Sequence, residues 1–377
     1  MSNPIPPLDQ QNRPRLLPHG MIYPFILVTI LFPLWGFPND FTNPLVRAFK
    51  ELFLISNTQS SLVQFAFYGG YATMAIPAAI FIRRYTYKAG IQVGLVLFAS
   101  GALLTIPAAT MLSFNLFLVS LYVLTFGLAF LETTANPYIL SMGDPETATQ
   151  RLNLSQAFNP MGSLLGMAVA SVLILPNLGI AEFRDNQMNI HAEEYKDMQG
   201  GEVDAKITAS LAQFAKNEPQ KFKELKTRDL QFVRLPYVVL ASVVITLFVI
   251  FTFSHLPDTG GHAEKVHLFS TLGRLVRNGH YVGGVIAQTF YVGAQIMCWT
   301  FIVNYAMTNL KLDAATAQNY NICAMVIFLS SRFICTFILK YLSPGKLLLI
   351  LAIGGIAFSA GNIFLDGYAG LYSLIAI

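Results

Sequence analysis

Two carboxylic acids and one guanidinium lie inside the long apolar segments of this sequence. Of its 24 Lys or Arg and 20 Asp or Glu side chains, only Asp40, Glu132 and Arg332 are well within such segments. An ionised group in hydrocarbon costs several kcal/mol unless it faces a partner or a watery cavity. A carboxyl group in apolar surroundings also holds its proton more firmly than one in water. These residues therefore indicate reversible proton binding and ion pairing.

Glu132 belongs to the stretch GLAFLETTANPY at 127–138. Its neighbours Thr133, Asn136 and Pro137 continue a polar and weakened helix, which favours a face towards a cavity. We predict that Glu132 carries a proton. The alternative is a carboxylate permanently paired with a structural arginine.

Asp40 belongs to the stretch WGFPNDFTNP at 35–44. Pro38 and Pro44 are predicted to interrupt the first apolar helix, because proline lacks the N–H group that the helix needs. Broken helices in membranes line protein or water and commonly form binding sites near the bilayer midplane. The alternative is that the helix ends near Pro38 and that Asp40 is a solvated residue at a cavity mouth.

Arg332, in SSRF at 330–333, is predicted to anchor an ion pair between helices that holds a gate closed. Arg83 and Arg84 end the second apolar segment and are predicted to be structural or gating residues as well. A basic group at the depth of Arg332 stays charged only with a partner or water nearby. All three arginines are therefore predicted to have a structural or gating role.

Uncharged polar side chains recur at helical spacing in two segments. Asn153, Gln156 and Asn159 are spaced by three, and Gln288, Tyr291 and Gln295 by three and four, so each set is predicted to share one helix face. Trp35 and Trp299 are the only two tryptophans, and they lie in the first and seventh predicted helices, each the first helix of one predicted half. Amides and indole rings suit a polyol, since hydroxyls take paired hydrogen bonds and the C–H face of a sugar stacks on an aromatic ring. The alternative is that the amides only bridge packed helices.

The elements that must position these residues are membrane-spanning helices. The chain is 54% hydrophobic and 12% charged, about half the charge of a soluble domain. Apolar segments of about 20 residues are long enough to cross a bilayer as helices. They are predicted at 22–46, 58–82, 90–111, 115–140, 153–176, 234–255, 279–307, 315–339 and 346–365, with a tenth starting near 369.

Positive charge in the short loops predicts the orientation. Eleven Lys or Arg fall on the side of the N-terminus and three on the other side, which places the N-terminus in the cytoplasm. GIQVG at 90–94 and GSLLG at 162–166 are predicted helix-packing faces. The predicted regions are a cytoplasmic tail 1–20, an N-terminal six-helix bundle 21–255, a cytoplasmic linker 256–278 and a partial C-terminal bundle 279–377. Within the first bundle, the polar segment 177–233 is predicted to be an extracytoplasmic, solvated helical cap.

An internal repeat supports two halves. FIRRY at 81–85 and FILKY at 337–341 share a pattern, and the same offset carries helices two and three onto eight and nine. Two six-helix halves are a known transporter arrangement. The offset places the counterpart of Glu132 beyond the last residue, so we expect an all-α membrane protein truncated within its tenth helix.

Several stretches closely resemble the L-fucose:proton symporter family of the major facilitator superfamily, which also holds glucose/galactose permeases. They are SLVQFAFYGGY at 61–71, RRYTYKAG at 83–90, LETTANPY at 131–138, RLNLSQAFNPMGS at 151–163 and AQTFYVGAQIMCWTFIVNYA at 287–306. The resemblance runs from about Trp35 to the last residue, apart from 177–233. It implies two six-helix bundles around a central cavity and proton-driven sugar uptake by alternating access.

The resemblance also implies roles for individual residues. Glu132 matches the family's proton-coupling acid, and Gln156 and Asn159 match its sugar-contacting amides. Counting from Leu34-Trp35, the family's other acid falls at Asn43, one turn after Asp40, so Asp40 is expected to take its place. That departure leaves the sugar open.

The expected function is therefore a proton-coupled sugar symporter of the cell inner membrane, importing L-fucose or a related hexose as a monomer. The alternatives are a glucose/galactose permease, which sodium could drive, and a non-transporting sugar sensor. No HExxH, GxSxG, Walker A or CxxC motif occurs, so an enzyme, a metal site and a cofactor are not expected. A net charge of +4 is small for this length, and no nucleic-acid partner is expected.

Overall fold

The structure is a computed structural model that describes residues 15–195, 198, 200–259, 268–310, 312 and 314–377. Most of the predicted tail 1–20, and residues 260–267 of the predicted linker, lie outside the described residues. Helices dominate what is described, in keeping with the predicted all-α class. The α-helices are α1 (Ile22–Thr29), α2 (Leu31–Phe53), α3 (Asn57–Ser60), α4 (Leu62–Arg84), α5 (Tyr87–Thr110), α6 (Phe114–Ser141), α7 (Ala148–Gln156), α8 (Asn159–Ala168), α9 (Gly179–Ile190), α10 (Ala192–Tyr195), α11 (Gly200–Asn217), α12 (Pro219–Phe253), α13 (Leu268–Arg277), α14 (Gly279–Thr308), α15 (Ala314–Ile338), α16 (Pro344–Phe364) and α17 (Gly367–Ala376).

Nine helical segments of the described chain are long and apolar enough to cross a membrane. They coincide with the nine predicted segments, and α17 begins two residues before the position predicted for a tenth. The chain is thus a multi-pass membrane protein. Most boundaries agree within three residues, and the exceptions lie in the first, fifth and sixth segments.

The first segment corrects the predicted interruption at Pro38 and Pro44. Helix α2 continues through both prolines to Phe53, and the break lies earlier, at Ile30 between α1 and α2. Pro33 has no N–H group to donate to the Thr29 carbonyl, which accounts for a break at that point. The alternative of a helix ending near Pro38 is also wrong, so Asp40 lies inside a continuous helix.

The fifth segment is broken instead. Helix α7 ends at Gln156 and α8 starts at Asn159, followed by a π-helix, Val169–Ile174, and a 3₁₀ turn, Leu175–Asn177. Pro160 lacks a donor and restricts the residue before it, which favours a helix start there. Asn159 therefore begins a new helix and does not continue the row of Asn153 and Gln156 on one helix.

The sixth segment is longer than predicted, because α12 begins at Pro219 inside the polar segment 177–233. The rest of that segment forms α9, α10 and α11, so its predicted helical character is confirmed. The buried Asp229 carboxylate accepts hydrogen bonds from the backbone N–H groups of Gly179 (2.8 Å) and Ile180 (2.9 Å), which fixes the start of α9 to α12. Arg184 of α9 pairs with Glu51 of α2 at 2.8 Å and also with Asp204 of α11.

The described chain divides into two compact units, and each unit contains segments that are not consecutive in the sequence. The Asp40 unit comprises Ile30–Ala135 and Asn159–His267, and the Arg332 unit comprises Met1–Thr29, Asn136–Phe158 and Leu268–Ile377. The predicted division into bundles at 21–255 and 279–377 stays a prediction.

Within the Asp40 unit, α2 packs against α8 and α5 packs against α12. Glycines bring the first pair into backbone contact: a Cβ atom at Gly162 would collide with the Pro33 carbonyl oxygen, and one at Gly36 would lie 2.9 Å from the Ser163 hydroxyl oxygen. A Cβ atom at Gly94 of α5 would likewise lie 2.8 Å from Leu131 of α6. The predicted packing roles of GIQVG and GSLLG are confirmed.

Within the Arg332 unit, α14, α15 and α17 surround a small core. Its buried residues are Ile302, Ala306, Ala317, Ala324, Leu371 and Leu374. Small side chains allow close approach of these helices. The Thr29 and Ser155 hydroxyls are hydrogen-bonded at 2.9 Å and link α1 to α7 in the same unit.

Candidate functional site

Asp40 lies in a hydrogen-bonded cluster built from three helices. The half-buried carboxylate accepts hydrogen bonds from the Ser163 hydroxyl of α8 and from the neighbouring Asn39 amide. The Tyr68 hydroxyl of α4 donates to Asn39 Oδ1 at 3.3 Å. The two donors, Ser163 and Asn39, restrict the orientation of the Asp40 carboxylate.

The close crossing of α2 and α8 places one of these donors. Gly36 of α2 faces Ser163, and Gly166 of α8 faces the Phe37 carbonyl oxygen, so no side chain separates the two backbones. Ser163 is 5% exposed, and its short side chain bridges the crossing to reach Asp40. The glycine-rich packing face is therefore also what brings a hydroxyl to the carboxylate.

Glu132 has contrasting surroundings in the same unit. It is half-buried on α6, and within the described residues no group hydrogen-bonds or ion-pairs with its carboxylate. Tyr71 of α4 is near enough to interact with it electrostatically. The alternative of a permanently paired arginine has no counterpart in the part of the chain that the structure describes.

Two predicted sugar-contacting residues, Trp35 and Asn159, both contact Phe32 near the start of α2. The Trp35 side chain is 7% exposed, and its ring centroid lies 4.3 Å from that of Phe32. The Asn159 amide donates to the Phe32 carbonyl oxygen at 3.3 Å. Asn43 lies on α2 one turn after Asp40, and its side chain is outside the described part. Trp35 and Asn159 are thus engaged with the protein in this state.

In the Arg332 unit, Gln156 joins two elements. Its side-chain oxygen accepts a hydrogen bond from Arg332 Nη1 at 3.0 Å, and its side-chain nitrogen lies 3.4 Å from Asn136 Oδ1. The Arg332 guanidinium lies 4.9 Å from the Phe328 ring centroid, and Phe328 contacts Trp299 edge to face. A neutral amide thus takes the place of the predicted ion pair, since no described carboxylate pairs with Arg332.

A seam of amide hydrogen bonds continues along α7 and α15. The Asn153 amide donates to the Arg332 carbonyl oxygen at 3.0 Å and to the Thr336 hydroxyl at 2.8 Å. The Gln150 amide donates to the Thr336 carbonyl oxygen at 2.9 Å. The predicted shared face of Asn153 and Gln156 is confirmed, and here it holds two helices together as the bridging alternative proposed.

The other predicted site residues are less enclosed. Gln288 and Tyr291 of α14 are exposed, with Tyr291 at 54%, and Gln295 is half-buried. Arg83 and Arg84 are exposed at the end of α4, where the Arg84 guanidinium lies 5.8 Å from the Tyr85 ring centroid. No contact of these five residues tests their predicted roles, which stay predictions.

Three buried charged residues of the described chain, Glu51, Arg151 and Asp229, were not predicted from the sequence. Arg151 is fully buried and donates to the carbonyl oxygens of Ile139 (3.3 Å) and Leu140 (2.9 Å) and to the Thr147 hydroxyl (2.6 Å). These carbonyls belong to the last turn of α6, where the helix no longer supplies an N–H donor four residues further on. Arg151 lies outside the predicted fifth segment, 153–176, because α7 begins five residues before that segment.

Comparison with known proteins gives the family. The Major Facilitator Superfamily matches residues 23–183. The L-fucose-proton symporter of Haemophilus influenzae is 49% identical over 362 residues, covering 96% of this chain and 79% of that protein. The chain belongs to the L-fucose-proton symporter family of the major facilitator superfamily. Its members are transporters, so the chain is not an enzyme, as predicted.

Two further similarities agree with this family. The crystal structure of the Escherichia coli fucose:proton symporter is 31% identical, with a TM-score of 0.76, and covers 94% of this chain and 80% of that one. A glucose/galactose transporter of Brucella abortus is 31% identical over 352 residues, covering 93% of this chain and 75% of that protein. The predicted resemblance and fold class are confirmed.

For a member of this family, the sequence reasoning found the carboxylates and missed what surrounds them. Asn39, Ser163, Tyr68 and Tyr71 were not singled out, although three of them lie in quoted family stretches. Tyrosine hydroxyls within an apolar helix need a partner when buried, which was the available signal. Ser163 gave no such signal, because it follows Gly162 in GSLLG, a motif that helix packing already explained.

Proposed function

We propose that this chain is a symporter that imports L-fucose or a closely related hexose together with a proton. Relatives from Haemophilus influenzae and Escherichia coli carry the name L-fucose-proton symporter. The observation that carries the proposal is Glu132, a carboxyl group in a membrane-spanning helix that has no hydrogen-bonding partner within the described residues. Such a group gains and loses a proton without breaking other bonds.

The mechanism we propose couples this proton to the sugar. A protonated Glu132 admits sugar from outside, and the inward-open state releases sugar and proton together. Asp40 is the second coupling acid. The proposed sugar-contacting residues are Trp35, Asn43, Gln156, Asn159, Gln288, Tyr291 and Gln295.

Arg332 is proposed to act in gating through Gln156. In this state the Gln156 amide oxygen is occupied by Arg332, while Arg332 Nε is buried with no hydrogen-bond partner among the described residues. A sugar hydroxyl that bonded Gln156 would compete with Arg332 for that oxygen. Sugar binding would then loosen the seam between α7 and α15. Arg83 and Arg84 are proposed as gating or structural residues at the end of α4.

The proposed location is the cell inner membrane, with the N-terminus in the cytoplasm and the chain acting as a monomer. The support is the excess of Lys and Arg in the short loops on one side, eleven against three. Labelling of single cysteines from outside intact cells tests the orientation, with 177–233 accessible and Arg274→Cys not.

Uptake of a panel of labelled hexoses by cells that express the gene tests the function. We expect L-fucose to accumulate in the cells when an inward proton gradient is imposed. Accumulation should stop when the gradient is collapsed. Accumulation that follows sodium and not pH would contradict proton coupling. Binding without any uptake would favour the sugar sensor, with 177–233 as its docking surface.

A glucose/galactose permease is the second candidate. It is favoured by the similarity to the Brucella abortus glucose/galactose transporter. It is also favoured by the position of the carboxylate, which this chain has at residue 40 and the family is expected to have at the position of Asn43. Moving a carboxylate by one helical turn alters which sugar hydroxyl it can reach. Faster uptake of galactose than of L-fucose would decide for this candidate.

A further inference from the structure

A short amphipathic helix, α13, precedes the seventh membrane-spanning helix. Phe269, Leu272 and Val276 are spaced by three and four residues, which places them on one face. They are 88%, 39% and 71% exposed. On one face of this ten-residue helix, Phe269 and Val276 are thus largely uncovered by the described protein, and Leu272 is partly covered.

The opposite face of α13 is basic. Arg274 and Arg277 lie in the last turn, and the helix contains no acidic residue. Within the described residues, neither guanidinium forms an ion pair. A helix with an apolar face, a basic face and no acid is suited to a membrane surface that carries negative charge.

The position of α13 brings it to such a surface. It ends at Arg277, and α14, which is long and apolar enough to cross the membrane, begins at Gly279. Asn278 between them has an extended backbone (φ −86°, ψ 104°), and its Oδ1 accepts hydrogen bonds from the N–H groups of His280 (3.1 Å) and Tyr281 (3.3 Å). The chain therefore changes conformation at one residue, and α13 stops where the membrane-spanning helix starts.

We propose that α13 lies in the membrane interface and binds anionic phospholipid headgroups. Phe269, Leu272 and Val276 enter the boundary of the acyl chains, and Arg274 and Arg277 contact the phosphates. Six membrane-spanning segments precede α13, so it lies on the side of the N-terminus, which the proposed topology makes the cytoplasmic leaflet. The proposal does not depend on which sugar is carried.

The test measures how deeply α13 sits in vesicles of two compositions. The protein, with Cys298, Cys323 and Cys335 replaced by serine and shown to retain uptake, carries one nitroxide label at Phe269→Cys or at Ser270→Cys. It is reconstituted in phosphatidylcholine alone or with added phosphatidylglycerol. We expect the label at 269 to be reached by oxygen from the lipid phase, the label at 270 to be reached by a water-soluble nickel complex, and both differences to grow with phosphatidylglycerol.

A charge variant separates lipid binding from packing. Arg274→Gln with Arg277→Gln should remove the phosphatidylglycerol dependence, because each basic residue near an anionic leaflet strengthens partitioning about fivefold. Lys340→Gln with Lys346→Gln removes the same charge from two exposed positions on the same side, between α15 and the first turn of α16, and should change nothing at label 269. The proposal is overturned if label 269 is water-accessible in both vesicle types, or shielded from both water and lipid. An equal response to the two charge variants overturns it as well.

Discussion

Asp40 and Glu132 are both carboxylates in membrane-spanning helices of one compact unit, yet their surroundings differ. Asp40 is held by Ser163 and Asn39, with Tyr68 behind Asn39. Glu132 interacts electrostatically with Tyr71 and has no hydrogen bond within the described residues. A proton can reach and leave Glu132 without disturbing a network, whereas any change at Asp40 must rearrange three side chains. This difference supports the proposal that Glu132 exchanges the proton and that Asp40 orients the sugar or a second proton.

The largest effect expected is that of Glu132→Gln. Glutamine keeps the size and removes the exchangeable proton, so sugar accumulation driven by a proton gradient should fall to background while counterflow of sugar continues. Uptake into vesicles with an imposed gradient measures the first, and exchange of labelled for unlabelled sugar measures the second. If the variant still concentrates sugar, the assignment of Glu132 is wrong.

Asp40→Ala should impair both processes, because it removes the acceptor around which Ser163 and Asn39 are arranged. We expect counterflow to fall about tenfold or more, the loss that accompanies removal of a hydrogen-bonded charged group worth about 1.5–3 kcal/mol. Asp40→Asn, which keeps an acceptor oxygen, should recover part of the counterflow. Counterflow equal to that of the unaltered protein in Asp40→Ala would place Asp40 outside the sugar site.

Gly162→Ala tests whether the α2–α8 crossing supports the Asp40 cluster. The added methyl group would collide with the Pro33 carbonyl oxygen, and overpacking of this kind costs about 1–3 kcal/mol. We expect a lower melting temperature in detergent and weaker sugar binding. Gly284→Ala is the matched control, because nothing lies within 4 Å of its Cβ position. Equal melting temperatures for both variants would contradict the close crossing.

Ser163→Ala should have the smallest effect. It removes one donor to Asp40, and a hydrogen bond of this kind contributes about 1 kcal/mol, or about fivefold in apparent sugar affinity. Ser100→Ala serves as control, since its exposed hydroxyl donates only to the Val96 carbonyl oxygen of its own helix at 2.8 Å. An effect of Ser163→Ala as large as that of Asp40→Ala would mean that Ser163 itself contacts the sugar.

The membrane-spanning helices were predictable because long apolar runs separated by polar loops leave few alternatives. The errors in the predicted helix boundaries arose where a helix begins or ends at a different residue from the apolar run. Helix α12 starts in a polar segment, and hydropathy detects where a helix enters the membrane, not where it begins. Pro38 and Pro44 do not end α2, and Pro38 itself is buried within it. Tertiary packing against α8 thus prevailed over the local preference of proline.

The candidate site was predictable as far as charge is concerned. Burying Asp40, Glu132 or Arg332 is costly, so their presence in apolar runs was informative in itself. Hydroxyl groups carry no such signal, because a serine or threonine in a helix can bond the carbonyl of its own preceding turn. Thr105, Ser120 and Thr134 do so here. Sequence alone therefore cannot separate them from Ser163, which donates to another helix.

The attachment of the cap formed by α9–α11 has a practical consequence for experiments on this protein. Helix α12 has 35 residues, about 52 Å of helix, against a hydrocarbon core of about 30 Å. Its first turns therefore project beyond the bilayer, and Asp229 and Arg184 fasten the cap to them and to α2. An antibody fragment raised against the cap would be carried firmly outside the detergent micelle. Most small membrane proteins have no rigid feature outside the micelle by which particle images can be aligned in electron cryomicroscopy. In this protein the cap and the antibody fragment bound to it would provide one.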